Sequence, residues 1–189
     1  MSRQKFIELE TDRLVLRRFK EDDLQNFYHY RSNPSVAIYQ GWQDYTYEQA
    51  INFINSQLTA EINRPDTWVQ IAIENKDNGS LIGDIGVHTL IEPNQVEIGF
   101  TLEPSYQNKG FATEALSALI THFFKELKKE RLIAIAVEQN LASIKLLEKL
   151  GFKKDKKIEN SYFKGQYVTE YEFELTQNEW KRLGDELNK

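Results

Sequence analysis

Val96 to Thr113 reads V-E-I-G-F-T-L-E-P-S-Y-Q-N-K-G-F-A-T and runs directly into a long helical pattern. Its loop, Gln107-Asn108-Lys109-Gly110-Phe111-Ala112, combines one cation, one glycine and one small residue ahead of a helix start. Unpaired N–H groups at a helix N-terminus attract anions, so such a segment can approach a phosphate closely. Lys109 adds a full positive charge that acts on phosphate as a point and not as a fork. The strand before the loop sorts by its period of two: Val96, Ile98, Phe100 and Leu102 point one way, Glu97, Gly99 and Thr101 the other. The second face thus carries a carboxylate, a residue without a side chain and a hydroxyl. A missing side chain in mid-strand often marks close approach by a ligand or another backbone. Leu132 to Val137 has a comparable small face at Ala134 and Ala136, and two neighbouring strands of this kind would flank a narrow slot.

The elements that must hold these residues follow from periodicity and turn signals. Leu14 to Arg17 alternates as a half-buried strand does. Glu21 to Tyr30 reads as a helix stopped near Asn33-Pro34, because the residue before proline disfavours the α region. Thr46 with Gln49 forms a capping box for a second helix, which Arg64-Pro65 is expected to end. Trp68 to Glu74 and Leu81 to Leu90 read as strands joined through Asp77-Asn78-Gly79, a hairpin turn signal. A helix is expected from Gly110 to Lys129, with Phe111, Ala115, Leu119, Phe123 and Leu127 recurring every four residues. Leu132 to Val137 is a short strand, and Ala142 to Leu150 a short helix closed by Gly151 in the left-handed position. Strands near Lys153 to Tyr162 and Gln166 to Leu175 and a helix from Gln177 complete the chain. The order β-α-α-β-β-β-α-β-α-β-β-α implies an α/β domain with a mixed sheet and helices on both faces. Val96 to Val137 supplies one right-handed parallel crossover.

Composition bounds the class. A chain of 189 residues fits a single domain spanning 1–189 with a substantial core. The 24 basic and 29 acidic residues leave a net charge of −5, which gives no reason to expect nucleic acid or an anionic membrane as partner. The chain has no cysteine, which excludes disulfides, thiolate metal sites and a cysteine nucleophile. The start, M-S-R-Q-K-F-I-E-L-E, carries no long apolar run, so a cytoplasmic protein without leader or membrane span is expected. His29, His88 and His122 have no ligand spacing, and no metal is expected.

The strand–loop–helix, followed about thirty residues later by N-L-A-S-I-K-L-L-E-K-L-G-F, resembles the GNAT superfamily of acyl-CoA-dependent N-acetyltransferases. The Q-N-K-G-F-A loop is similar to its Q/R-x-x-G-x-G/A pyrophosphate loop, with Ala112 in place of the last glycine. T-D-R-L-V-L-R, the E-I-G-F strand and Y-E-F-E-L-T-Q-N-E-W make the chain most similar to the Rim-type branch, which includes enzymes acetylating ribosomal-protein N-termini. The resemblance spans roughly Thr11 to Leu183. It implies a sheet of about seven strands, mostly antiparallel, splayed between two central parallel strands, with acetyl-CoA lying in the V between them. Phe100, Thr101 and Leu102 would then run along the pantetheine arm. Backbone amides of Gln107, Asn108, Lys109, Gly110, Phe111 and Ala112 would hold the pyrophosphate, with Thr113 in support. Asn140 would bond the pantetheine, and Ser143 would lie near the thioester sulfur.

Acetyl transfer to an amine needs a neutral amine, a polarised thioester carbonyl and a stabilised leaving thiolate. The resemblance makes Glu97 the expected base, directly or through water, and a backbone N–H on Phe100–Leu102 the polarising donor. The family's usual thiolate-protonating tyrosine is matched here by Leu147, which leaves Ser143 as its substitute. Bland readings remain beside these: Glu97 as a surface carboxylate paired with a cation, Asn140 as an N-cap, Ser143 as a first-turn residue. Lys125, Lys128 and Lys129 read as surface cations complementing a helix dipole.

Tyr39 and Trp42, with Tyr45, cluster where this family often lines its acceptor entrance, and core anchoring is the competing reading. Tyr162 and Phe163, beside Gly165, are a second wall or a dimer contact, so a homodimer stays among the expectations. The expected acceptor is a primary amine, either a protein N-terminal α-amine or a small amine such as a polyamine, amino acid or aminoglycoside. A non-catalytic CoA-binding module is the alternative that the leucine at 147 favours, and Glu97 with Ser143 argues against it.

Overall fold

The computed structural model describes residues 6–92 and 94–187; Met1 to Lys5 of the apolar-run argument lie outside the described residues. A single mixed sheet runs in the order β1 (Leu9–Glu10), β2 (Leu14–Arg17), β3 (Thr67–Asn75), β4 (Leu81–Thr89), β5 (Gln95–Leu102), β6 (Arg131–Val137), β8 (Gln166–Thr176) and β7 (Lys153–Phe163). Among the described residues eight strands are therefore present where about seven were expected, the two-residue β1 being the addition. Every adjacent pair is antiparallel except β5 and β6.

Each face of the sheet buries its own core. Val96 and Ile98 of β5 and Leu132 and Ala134 of β6 pack with Ala115, Leu119 and Phe123 of α4 (Phe111–Lys125) and Ile144 and Leu147 of α5 (Leu141–Lys149). On the opposite face Phe27 and Tyr30 of α1 (Leu24–Arg31) and Ala50 and Ile54 of α3 (Tyr47–Leu58) pack on Ala72 and Leu81. The short α2 (Pro34–Ala37) lies between those helices in sequence, and α6 (Gln177–Leu187) follows β8. Period-two sorting of β5 thus assigns its faces correctly. The expected slot between two small faces is not formed, because Ala134 and Ala136 are registered with the core-facing residues and Gly99 lies on the other side.

Local signals predict starts better than stops. The capping box forms: Gln49 N donates to Thr46 Oγ1 at 3.2 Å and Thr46 N to Gln49 Oε1 at 2.8 Å. Gly151 adopts φ +91 after α5, as its C′ position requires. However, α3 stops at Leu58, well before Arg64-Pro65, where the remote Arg18 donates Nη1 to the carbonyls of Gln57 (3.1 Å) and Ala60 (2.7 Å). Pro34 does more than stop α1: it opens α2, with Asn33 Oδ1 capping Ser35 N at 3.0 Å. And α4 ends at Lys125, not Lys129, because Lys128 takes φ +52 and Lys129 N reaches back to the Phe123 carbonyl at 2.9 Å. This is a left-handed C-terminal wrap without its usual glycine. Lys129 is buried in consequence, with Nζ donating to Asn63 Oδ1, so it is not the surface cation expected; burial lowers its pKa.

Candidate active site

Parallel pairing of β5 and β6 lasts only from Gln95↔Arg131 to Glu97↔Ile133. Past that point β5 stays with β4 as far as Leu102↔Gly83, and β6 stays with β8 as far as Val137↔Glu170. The inner edges of the two strands therefore diverge, and a cavity of about 310 Å³ lies beside the split. Phe100, Thr101 and Leu102 line it from β5, and Asn140, Ala142, Ser143 and Leu146 from the start of α5. In place of a strand neighbour, the Phe100 carbonyl accepts from Gln40 Nε2 at 3.3 Å and the Leu102 carbonyl from Gln107 Nε2 at 2.9 Å. A strand edge satisfied only by flexible amide side chains can exchange them for a ligand's amide groups.

The far end of the cavity is the loop. Asn108 at φ +58 and Gly110 at φ +84 alternate with Lys109 in a way that turns successive N–H groups to one side. Glu114 N is bonded to the Gly110 carbonyl at 3.0 Å, so the amides of Phe111, Ala112 and Thr113 precede the first helical acceptor and stay available to an anion. Gln107, Asn108, Gly110, Phe111, Ala112 and Thr113 line the cavity; Lys109 does not, and its Nζ stands 5.9 Å from the Tyr106 ring centre. Sequence reasoning missed the strut beneath this loop. Arg13 lies over the Phe111 ring at 4.2 Å, donates Nη1 to the Lys109 carbonyl at 3.1 Å, and pairs Nε with Glu114 Oε2 at 2.7 Å. Burial raises the Glu114 pKa, but hydrogen bonds from Thr11 and from the Arg13 side chain and backbone outweigh it and hold the group low. The one acidic residue in the first turn of α4 is thereby paired with a cation beside the free amides of the loop.

Asn140 and Ser143 meet at the start of α5. Ser143 N donates to Asn140 Oδ1 at 3.2 Å, so the asparagine oxygen is an N-cap while its amide nitrogen stays free to donate. Ser143 and Leu146, one helical turn apart, present α5 to the cavity, whereas Leu147 turns into the core at 1 % exposure. Tyr39 lines the cavity mouth with Ser35, Val36 and Gln40, and its hydroxyl donates to the Gln139 carbonyl at 3.2 Å, tying the α2 segment to the β6–α5 turn. Trp42 lies outside the lining: its Nε1 donates to the Arg31 carbonyl at 3.0 Å and its ring covers the Arg31 guanidinium at 3.7 Å. Glu97 lies on the opposite face from the main core, next to His88, whose Nδ1 is 3.7 Å from Glu97 Oε2. Burial raises the Glu97 pKa, the Glu172 charge adds to the rise, and His88 opposes it.

Residues 13–153 match the acetyltransferase (GNAT) domain family. This chain belongs to the GNAT acetyltransferase family. It is similar to the uncharacterized N-acetyltransferase YnaD of Bacillus subtilis, 31% identical over 91% of this chain and 98% of that protein. The uncharacterized N-acetyltransferase p20 of Bacillus licheniformis is likewise 31% identical, over 91% of this chain and 97% of its own length. Among solved structures, a GNAT-family acetyltransferase from Bacillus anthracis superposes with a TM-score of 0.83 at 26% identity, covering 91% of this chain and 99% of that one. Spermidine N-acetyltransferase from Vibrio cholerae, solved with CoA and spermine, shares the fold with a TM-score of 0.77 at 17% identity over 90% of this chain and 99% of its own. Enzymes of the GNAT family use acetyl-CoA, and the split strands, the amide-lined loop and the α5 N-terminus of this GNAT chain fit such a ligand. No helix among the described residues is long and apolar enough to cross a membrane, and those residues contain no cluster of three or more metal-ligating side chains.

Gly110 gives this GNAT site a sharp test. A Cβ there would sit 3.3 Å from Arg13 Nη2 at a backbone angle that L-residues adopt only under strain. Gly110→Val should destabilise the fold by about 1–2 kcal/mol and raise the KM for acetyl-CoA about tenfold. Thermal melting and initial rates against acetyl-CoA concentration check both.

Proposed function

We propose that this GNAT enzyme transfers acetyl from acetyl-CoA directly to a primary amine, with a protein N-terminal α-amine as the acceptor. The carrying observation is the unpaired inner edge of β5 facing a cavity whose other end is a loop of free amides. Bound acetyl-CoA supplies the activated acyl carbon. Gln107 to Thr113 hold its anionic end, and the inner edge of Phe100–Leu102 offers its backbone to the amide arm and, by an N–H, to the thioester carbonyl. Asn140 donates to the pantetheine arm and Ser143 toward the departing sulfur; a serine hydroxyl stabilises a thiolate by hydrogen bonding better than it protonates one. Glu97, directly or through one water, takes the proton from the acceptor ammonium.

The α-amine is favoured by proton affinity. At pH 7 roughly one α-amine in ten is already neutral, against about one alkyl amine in a few thousand. A lone carboxylate base, even with a raised pKa, suits the first far better. A small amine is the second reading, supported by Lys164, whose Nζ donates to the Ala37 and Trp42 carbonyls at 2.5 Å each and straps the β7–β8 hairpin over the α2–α3 segment. An enclosed approach of that kind suits a short acceptor.

Acetyl-CoA at a hundred times its Kd should stabilise the protein by about 2.7 kcal/mol, which is roughly 5–10 °C in Tm for a domain of this size. No shift at millimolar acetyl-CoA would remove the donor assignment. A free-thiol assay with N-terminal peptides and spermidine in parallel arms decides the acceptor, and a spermidine rate above every peptide would overturn the α-amine reading.

A further inference from the structure

We propose that His88 is the positioning residue for Glu97 and carries the proton taken by Glu97 outward to Asp66. The inference rests on the reading of Glu97 as the base. Three adjacent strands place Trp68, His88 and Glu97 side by side on one face. The imidazole is stacked on Trp68 with ring centres 4.9 Å apart and planes at 13°, which holds the plane of the ring. One nitrogen, Nδ1, stands 3.7 Å from Glu97 Oε2; the other, Nε2, is 3.2 Å from Asp66 Oδ1. Asp66 is itself held: it takes φ +54 just ahead of β3, and its N–H donates to the Thr89 carbonyl, next to His88, at 2.7 Å.

Side-chain exposure is 25% at Glu97, 17% at His88 and 70% at Asp66, so the outer end of the row is the solvated one. The row therefore runs from the strand that lines the cavity to open solvent. The 3.7 Å separation is one that a small side-chain adjustment closes to a direct hydrogen bond. An imidazole whose Nε2–H donates to Asp66 leaves the Nδ1 lone pair facing Glu97.

The proton balance is complete with these groups. An acceptor N–H bond breaks and a Glu97 O–H bond forms. That O–H then breaks as Nδ1–H forms, giving an imidazolium. The Nε2–H breaks next, its proton passing to the Asp66 carboxylate and then to water, and the neutral ring re-equilibrates its tautomer through solvent. Charged groups acting on the row are Asp66 from the segment before β3, Glu97 from β5 and Glu172 from β8, the last tied to Arg131 and Lys156.

The test is a carbon-13 titration of the Glu97 carboxyl in the wild type, His88→Gln and Asp66→Asn, beside pH profiles of kcat/KM with acetyl-CoA and either a free-N-terminus peptide or spermidine. In H88Q the Glu97 midpoint should rise and the acid limb of the rate profile should move up with it. D66N should do the same to a smaller extent, with kcat down about three- to tenfold in H88Q and the KM for acetyl-CoA unmoved. A merely structural ion pair would also move the Glu97 midpoint by linkage and lower the melting temperature, but would leave kcat on the pH plateau unchanged. If Glu97→Gln is inactive and H88Q keeps the wild-type plateau kcat, this proposal alone is overturned. If Glu97→Gln keeps full rate, the base reading falls and the proposal with it.

Discussion

Glu97→Gln is expected to lower kcat about 100-fold at neutral pH, the lower end of what a positioned proton acceptor contributes. Acetyl-CoA affinity should be kept, because Glu97 lies outside the cavity lining while Phe100–Leu102 and the loop form it. The pH dependence has a definite sign. A base works when deprotonated, so activity should fall as pH drops through the Glu97 pKa, which burial raises above the ordinary glutamate value. Stability should move the other way. A carboxyl with a raised folded-state pKa favours folding below its unfolded pKa, and that contribution is lost as pH rises through the folded value. At neutral pH the ionised Glu97 is thus a local burden on the fold. The amide removes it, so E97Q should melt at or above the wild-type temperature while losing turnover. Such a trade is the pattern of a functional group and not of a structural one. A measured loss of stability with unchanged kcat would reverse the assignment.

The largest stability effect is expected at Asp84, in the middle of β4 at 1% exposure. Its Oδ1 accepts from Arg31 Nη2 at 2.9 Å and its Oδ2 from the Tyr30 hydroxyl at 2.5 Å. Arg31 is itself buried. Burial lowers its pKa, and Asp84 chiefly reverses this, leaving it raised; its Nε lacks a hydrogen-bond partner, and its guanidinium face lies on Trp42. Asp84→Ala would leave that cation uncompensated, which costs about 3–5 kcal/mol and should lower Tm by roughly 10 °C or more. Asp84→Asn keeps an acceptor for Tyr30 and should fall between. The damage should reach the site as well. Asp84 is the cross-strand partner of Thr101, and Arg31 anchors Trp42, two residues from Gln40. Denaturant melts read the first effect, and the KM for acetyl-CoA in the surviving fraction of D84N reads the second.

Elements whose signals are local were legible in the chain. The capping box at Thr46, the Gly79 and Gly151 turns, the faces of β5 and the loop ahead of α4 all depend on residues within a turn or a strand period of one another. Stops were less legible where the terminating group comes from elsewhere, as Arg18 does for α3, or where Lys128 adopts a glycine-like angle. The loop carries its own conformation in Asn108 and Gly110, and its function follows from free backbone amides. That is why residue types and spacing alone pointed to a loop able to approach an anion, and the family resemblance to Gln107 to Thr113 as its residues.

What residue types and spacing determined, then, is an α/β chain with an anion loop feeding a long helix and a carboxylate on the strand before it. Only the tertiary structure decided what those groups face. It brought Arg13 to Glu114 across 101 positions, Arg31 to Asp84 across 53, and Asp66 to His88 across 22. It also put Trp42 on a buried guanidinium and not in the cavity, and sent Leu147 into the core. The physical reason is that periodicity fixes the direction of a side chain from its own backbone, whereas a partner's identity is set by sheet order and register. Here His88 meets Glu97 because β4 pairs with β5 in one register out of several that the hydrophobic pattern alone would allow.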